Sequence, residues 1–320
     1  MKNDKAQMKK VRRGNPDSFY GSLPLNEAVL LGMQHIMAMF VGNLTPLIII
    51  LGACGITADA GFAELRTAVL QNSMTIAGIV TLVQLFSIGP CGGKVPIIMG
   101  TSSGFLGVFQ SVVATMGQGV IAYGTILGAS LIGGLFEGGV LGACLKPFSG
   151  CIEGGMNREA TDKELSGGII CDGLGSAFAS LFGVLPNTSF SQNVGLVSMT
   201  KVVNRMALSC GAFFLILCGL CPKIAACVSI MPQPVLGGAA VIMFASILVS
   251  GIKMVTQEPI GAREITIISV ALGLGYGLGS TSGATSAMPQ AVQLIFGGSG
   301  IVPAAFAAII LNVVLPKQTK

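Results

Sequence analysis

Long apolar runs separated by short polar stretches fill most of the chain. They fall at about 26–51, 67–88, 97–116, 119–145, 165–184, 206–227, 233–254, 264–280 and 289–315. Each is close to the roughly 20 residues that an α-helix needs to cross a bilayer. A tenth run, at about 192–204, is too short to span by itself. The pattern predicts an all-α polytopic membrane protein of about ten membrane segments. It divides the chain into a polar tail (1–24), a first block of segments (25–146), a polar linker (147–164), a second block (165–230) and a last block (231–316).

Composition agrees with this reading. Only 10% of the residues are charged and the mean hydropathy is +0.80. A soluble domain carries about a quarter charged residues, so a water-facing globule is excluded. The 46 glycines fit helices that pack closely in lipid or break inside it. Most of the nine cysteines lie in apolar runs, and the Cys218-x-x-Cys221 pair has a single histidine in the whole chain to join it. They read as small packing residues, and neither a metal nor a cofactor is expected. The polar tail lacks the features of a signal peptide.

The positive charges set an orientation. Lys2, Lys5, Lys9, Lys10, Arg12 and Arg13 place the N-terminus in the cytoplasm. Alternate threading then puts Lys94, Lys146, Arg158, Lys163, Lys201, Arg205, Lys253, Arg263, Lys317 and Lys320 on the same side, and only Arg66 and Lys223 on the other. A multi-pass protein of the plasma (inner) membrane with both termini cytoplasmic is expected. The net charge of +5 is thereby a topogenic signal, with anionic lipid as a partner for the tail and no call for nucleic acid.

Two places break the smooth apolar pattern. One is Pro96-Ile97-Ile98-Met99-Gly100-Thr101-Ser102-Ser103-Gly104-Phe105, the other Pro186-Asn187-Thr188-Ser189-Phe190-Ser191-Gln192-Asn193-Val194-Gly195. Each opens with proline, which lacks an N–H and disfavours helix before it. Each then passes through residues suited to helix N-caps. They predict two short strands, near 97–102 and 186–191, each leading into a half-length helix. Non-helical backbone at membrane depth is tolerated only against protein or a water-filled cavity, and such a pair points to a transporter's substrate site. The alternative is two re-entrant turns without a ligand.

The second interruption continues as Gln192-Asn193-Val194-Gly195-Leu196-Val197-Ser198-Met199-Thr200-Lys201. This closely resembles the signature of the nucleobase–cation symporters, or nucleobase/ascorbate transporters. Leu185-Pro186-Asn187-Thr188, Gln34-His35, Gly100-Thr101-Ser102-Ser103 and Asp172-Gly173 are also similar to that family. The resemblance implies two inverted repeats of seven segments, with a core domain (segments one to four and eight to eleven) moving against a gate domain. On this scheme 25–146 corresponds to core segments one to four, 165–230 to nine to eleven and 231–316 to gate segments twelve to fourteen. Segments five to eight are missing at the linker, so the repeat fold is incomplete. The missing eighth segment is the one that usually carries a base-binding carboxylate. Its loss is expected to leave the strand near 186–191 open to lipid.

The resemblance also implies site residues. Gln192 would pair its amide with a purine edge, or else cap its half-helix; glutamine here is mostly found in xanthine or urate carriers. Asn193 would contact substrate or hold the broken-helix geometry. Phe190 and Ser191 would meet the base by ring stacking and backbone N–H, with packing as the alternative for Phe190. Ser103 and Gly104 hold the matching place on the other strand. A carboxylate in the bilayer centre costs about 2.5–3.5 kcal/mol, so Asp172 is the remaining candidate for proton linkage, or else a brace. His35 would brace the site or titrate. Glu137 lies among glycines with no assigned role.

No nucleophile–base pair, HExxH or GxxxxGK[ST] occurs in the sequence, so no enzyme and no ATP-driven pump is expected. The reading is secondary-active transport of a purine nucleobase of xanthine or urate type, coupled to protons or sodium. The alternatives are a non-transporting remnant of the family or an anion transporter of the same architecture. Homodimerisation would supply surface lost with the missing segments.

Overall fold

The computed structural model describes residues 16–57, 61–141, 161–190, 193, 197, 200–229, 233–256, 259–281, 283–289, 292–293, 296 and 299–316. Ten helices can be traced in these stretches. They are α1 (Leu25–Ala53), α2 (Ala63–Phe86), α3 (Leu106–Met116), α4 (Val120–Phe136), α5 (Asp162–Leu181), α6 (Arg205–Leu220), α7 (Pro222–Ser229), α8 (Gln233–Val255), α9 (Ala262–Ser280) and α10 (Ile301–Val314). Two strands, β1 (Met99–Thr101) and β2 (Asn187–Ser189), complete them. Among the described residues three helices are long and apolar enough to cross a membrane: Leu25–Ala53, Ala63–Phe86 and Val120–Val140.

The strands pair antiparallel, with Met99 opposite Ser189, Gly100 opposite Thr188 and Thr101 opposite Asn187. The expected strand pair is therefore present, inside the predicted limits. β1 is wholly buried and Asn187 is buried, while Thr188 and Ser189 are partly so. The expectation that this strand lies open to lipid is corrected: β1 and α5 pack against it. After β1 comes an eleven-residue helix, α3, so the run at 97–116 is a strand plus a half-length helix. The counterpart after β2 lies mostly outside the described residues.

Several boundaries differ from the sequence expectation, each for a local reason. α5 starts at Asp162 instead of 165 because Thr161 and Glu164 form a reciprocal cap, with Glu164 N donating to Thr161 Oγ1 (3.4 Å) and Thr161 N to Glu164 Oε2 (3.0 Å). The run at 206–227 divides into α6 and α7 at Cys221, because Pro222 cannot donate to a continuing helix and suits a first helical turn. The last run, 289–315, holds α10 only from Ile301. α4 ends in a π-helical turn, Glu137–Leu141; the linker between it and residue 161 lies outside the described residues.

α1, α2, α4, α5 and α6 run alternately between two ends of the molecule. At one end Val203 N and Asn204 N donate to Pro16 O (2.9 and 3.1 Å), and Gly92 N to Gly167 O (2.9 Å). At the other, Gly119 N donates to Cys54 O (2.7 Å), Tyr123 Oη to Gly183 O (2.8 Å) and Gln71 Nε2 to Gly219 O (3.1 Å). Lys94, Lys163, Lys201 and Arg205 stand at the first end, Arg66 and Lys223 at the second. α4 and α5 touch through glycine. A Cβ on Gly173 would meet Gly138 N and stand 2.6 Å from Gly134 O, so only hydrogen fits where these backbones meet. The main apolar cluster joins α1 to α4, including Leu47, Ile50, Leu70, Met74, Phe109 and Ile126.

Candidate functional site

The strand pair is held by polar side chains sent in from three helices. From α1, Asn43 is fully buried; its Oδ1 accepts from Thr101 N at 2.6 Å and its Nδ2 donates to Ser73 Oγ at 3.4 Å. From α2, Ser73 Oγ lies 3.2 Å from Thr101 Oγ1, and Thr81 Oγ1 accepts from Met99 N at 2.9 Å. From α5, Ser176 Oγ donates to Asn187 O at 2.9 Å. Backbone polar groups at membrane depth need internal partners, and these side chains supply them. Gly100 is required where β1 crosses. A Cβ there would stand 2.9 Å from Asn43 Oδ1 and 3.0 Å from the Phe190 ring.

Asp172, on α5, receives the hydroxyls of β2. Thr188 Oγ1 donates to its Oδ2 at 2.9 Å, and Ser189 Oγ lies 3.2 and 3.3 Å from its two oxygens. At the far end of β2, Asn193 Nδ2 donates to Pro96 O at 3.3 Å. That fixes its Oδ1 toward His35 Nδ1, 2.9 Å away. An amide oxygen accepts only, so His35 Nδ1 carries the hydrogen and Nε2 of the neutral ring is left as an acceptor. His35 is 1% exposed, and its Nε2 finds no partner among the described residues. Asn187, 2% exposed, likewise has neither its amide oxygen nor its amide nitrogen paired among them. Buried polar atoms are nearly always satisfied, and an orphan is a place to look for a ligand or water.

The structure thus joins His35, Asn193 and Phe190 with Asp172 through one strand and its extension. Phe190 is 4% exposed and packs with Ile36, Met39 and Ile98, so its ring is a packing group here. Ser103 and Gly104 stand just before α3, partly buried and exposed respectively, with Gly104 N donating to Ser102 Oγ at 3.2 Å. Gln192 and Ser191 lie outside the described residues. Asn43, Ser73 and Thr81 were not singled out from sequence, and Asn187 was named only within the stretches that begin at Leu185 and Pro186, with no role assigned. The available signal was modest: an asparagine among the apolar residues in the second half of α1, and hydroxyls spaced along α2.

Residues 26–146 and 151–282 match the profile of the Permease family designated Xan_ur_permease. The two matched blocks meet at the linker where segments were expected to be missing. The chain is 38% identical over 162 residues to a putative purine permease of Clostridium perfringens, covering 51% of this chain and 36% of that protein. It is 35% identical over 156 residues to the xanthine permease XanP of Escherichia coli K12, covering 49% and 34%. It is 37% identical over 159 residues to a xanthine permease of Bacillus subtilis, covering 49% and 36%. The matched part spans about a third of the length of these relatives. The chain belongs to the Permease family, the nucleobase permeases that its signature resembles, and its apolar helices are those of an integral membrane protein.

Proposed function

We propose that the strand crossing binds a purine nucleobase of xanthine or urate type, the class named for its relatives. The observation that carries the reading is His35 Nε2, an acceptor buried beside the signature Asn193 with no partner among the described residues. Xanthine and urate present ring N–H groups that such an acceptor takes. The unpaired amide of Asn187 offers a donor and an acceptor side by side, which suits a purine edge. Gln192 would supply a second amide, with Ser191, Ser103 and Gly104 at the strand ends and Phe190 backing Gly100. Asp172, tied to the hydroxyls of β2, would be the group for proton or sodium coupling in secondary-active transport once a complete gate is supplied. An orientation with both termini cytoplasmic follows from the charge distribution.

Equilibrium binding of labelled xanthine to the purified protein tests this. Wild type is expected to bind, and Gln192→Ala and His35→Ala to lose at least tenfold in affinity. Wild-type affinity in both variants overturns the assignment. A second reading, a remnant that binds without transporting, is favoured by the direct glycine contact of α4 with α5. The family scheme puts four segments between these two helices in the chain. An anion carrier of this architecture is disfavoured by the neutral amides of Gln192 and Asn193, and sulfate competing with xanthine would revive it.

A further inference from the structure

Two cysteines meet at the end of the molecule that carries Lys94 and Lys163. Cys91 lies in the loop between α2 and β1, in a tight turn where Ile88 N donates to Cys91 O at 2.8 Å and Cys91 N to Ile88 O at 3.1 Å. The next residue, Gly92, donates its N–H to Gly167 O on α5 at 2.9 Å. Cys171 is one helical turn beyond Gly167, so it sits on the α5 face that meets the loop. Its Sγ lies 3.9 Å from Val80 O of α2. Cys91 packs on the apolar cluster of Cys171, Val80, Val95 and Ile97. Cys91 and Cys171 are therefore brought to the same packed contact between the loop and α5. Cys171 is 1% exposed, whereas Cys91 is partly open. Both are free thiols.

We propose that Cys91 and Cys171 form a reversible redox site in which a hydroperoxide converts the thiol pair into a disulfide that pins the α2–β1 loop to α5. The Cys91 sulfur, as thiolate, attacks one peroxide oxygen; the O–O bond breaks, hydroxide leaves, and a sulfenic acid forms. The Cys171 thiol then attacks that sulfur; the S–S bond forms, the S–O bond breaks, and water leaves with the Cys171 proton. The hydroxide takes up the proton that Cys91 gave up on ionising. Two thiols lose two electrons, and hydrogen peroxide becomes two waters. The roles follow exposure: an accessible low-pKa thiol beside a resolving one is the arrangement that selects for this chemistry. The neighbouring Cys171 thiol lowers the Cys91 pKa from its ordinary value, in the direction that favours the attacking thiolate.

The site is independent of substrate. It sits in the loop that leads into β1 and immediately before Asp172 in the chain, so closing it fixes the leader of one strand to the helix bracing the other. The test uses membranes holding the full chain, reduced with dithiothreitol, treated with hydrogen peroxide, alkylated and analysed by peptide mass spectrometry. Wild type is expected to yield a Cys91–Cys171 linked peptide and to lose alkylation at both positions together, with dithiothreitol restoring it. In Cys171→Ser, Cys91 is expected to be trapped by dimedone as the sulfenic acid. Both cysteines still alkylated after peroxide, or Cys91 linked to another cysteine in wild type, overturns the proposal; the wild-type readout does not depend on the variant folding.

Discussion

At the residue scale, what separates the polar groups of the core is burial. Asn43 and Asn72 each make a hydrogen bond through the side-chain amide, Asn43 in the interior and Asn72 at the surface, where its Nδ2 donates to Phe182 O at 2.9 Å. Asn43→Ala leaves the buried N–H of Thr101 without its 2.6 Å acceptor. The cost of stranding a buried group is about 1–3 kcal/mol. Asn72→Ala returns its carbonyl partner to solvent and is expected to cost less than half of that. Denaturation of the purified protein in detergent, comparing both variants with wild type, checks this; equal destabilisation would show that Asn43 is no anchor of β1. Asp172 gives a second comparison. Asp172→Asn keeps an oxygen to accept one hydroxyl of β2, whereas Asp172→Ala leaves Thr188 and Ser189 without it. The alanine variant is expected to be the less stable of the two by about 1–2 kcal/mol. These roles were only partly legible. Asp172 and His35 stand out in sequence because charge and imidazole are rare in apolar helices. Their partners are set by the fold: Asp172 accepts from hydroxyls 16 and 17 positions on, and His35 meets Asn193, 158 positions away, and no local pattern encodes such meetings.

At the element scale, the proline-led interruptions located both strands, since proline and small polar residues act on the backbone locally. The helix ends were less legible, because a hydropathy run does not distinguish a helix from a strand of the same apolarity. Met99-Gly100-Thr101 thus merged with α3 into one run, and α6 with α7 into another. The α4–α5 contact was equally hidden: glycines were plentiful, but the sequence does not say which ones face a neighbour. The geometry makes that distinction. Gly173→Ala places a methyl group against the Gly138 and Gly134 backbones, and an added buried carbon in a filled contact costs about 1–3 kcal/mol. Gly133→Ala, on the same α4 helix, meets nothing within 4 Å. It is expected to be neutral, or stabilising by up to about 1 kcal/mol through helix propensity. Thermal unfolding of the two variants in one detergent is the measurement, and a Gly173→Ala midpoint equal to wild type would mean that the two helices separate freely.

At the scale of the whole molecule, the described core is well built and the part it should work against is thin. α1 to α6 enclose the strand pair in shared apolar clusters. α9 and α10 pack on each other, with Gly275 against Gly300 and Ala304. Around them large apolar side chains face outward, Ile242 at 71% and Val313 at 80% exposed. Lipid covers such surface without penalty, so folding is not the difficulty. Alternating access is. It needs a core that moves against a gate closing each face in turn, and in the family scheme segments five to seven form half of that gate. On the same scheme the eighth segment's carboxylate would be missing as well, leaving Asp172, which already accepts two hydroxyls of β2. The expected outcome is that the protein reconstituted in liposomes binds xanthine but does not accumulate it when a proton gradient is imposed. A second copy could complete the gate, so the same liposomes are to be cross-linked, with the monomer as the expected species. Accumulation against the gradient that is lost in Asp172→Asn would show instead that this shorter arrangement, alone or paired, is a working coupled transporter.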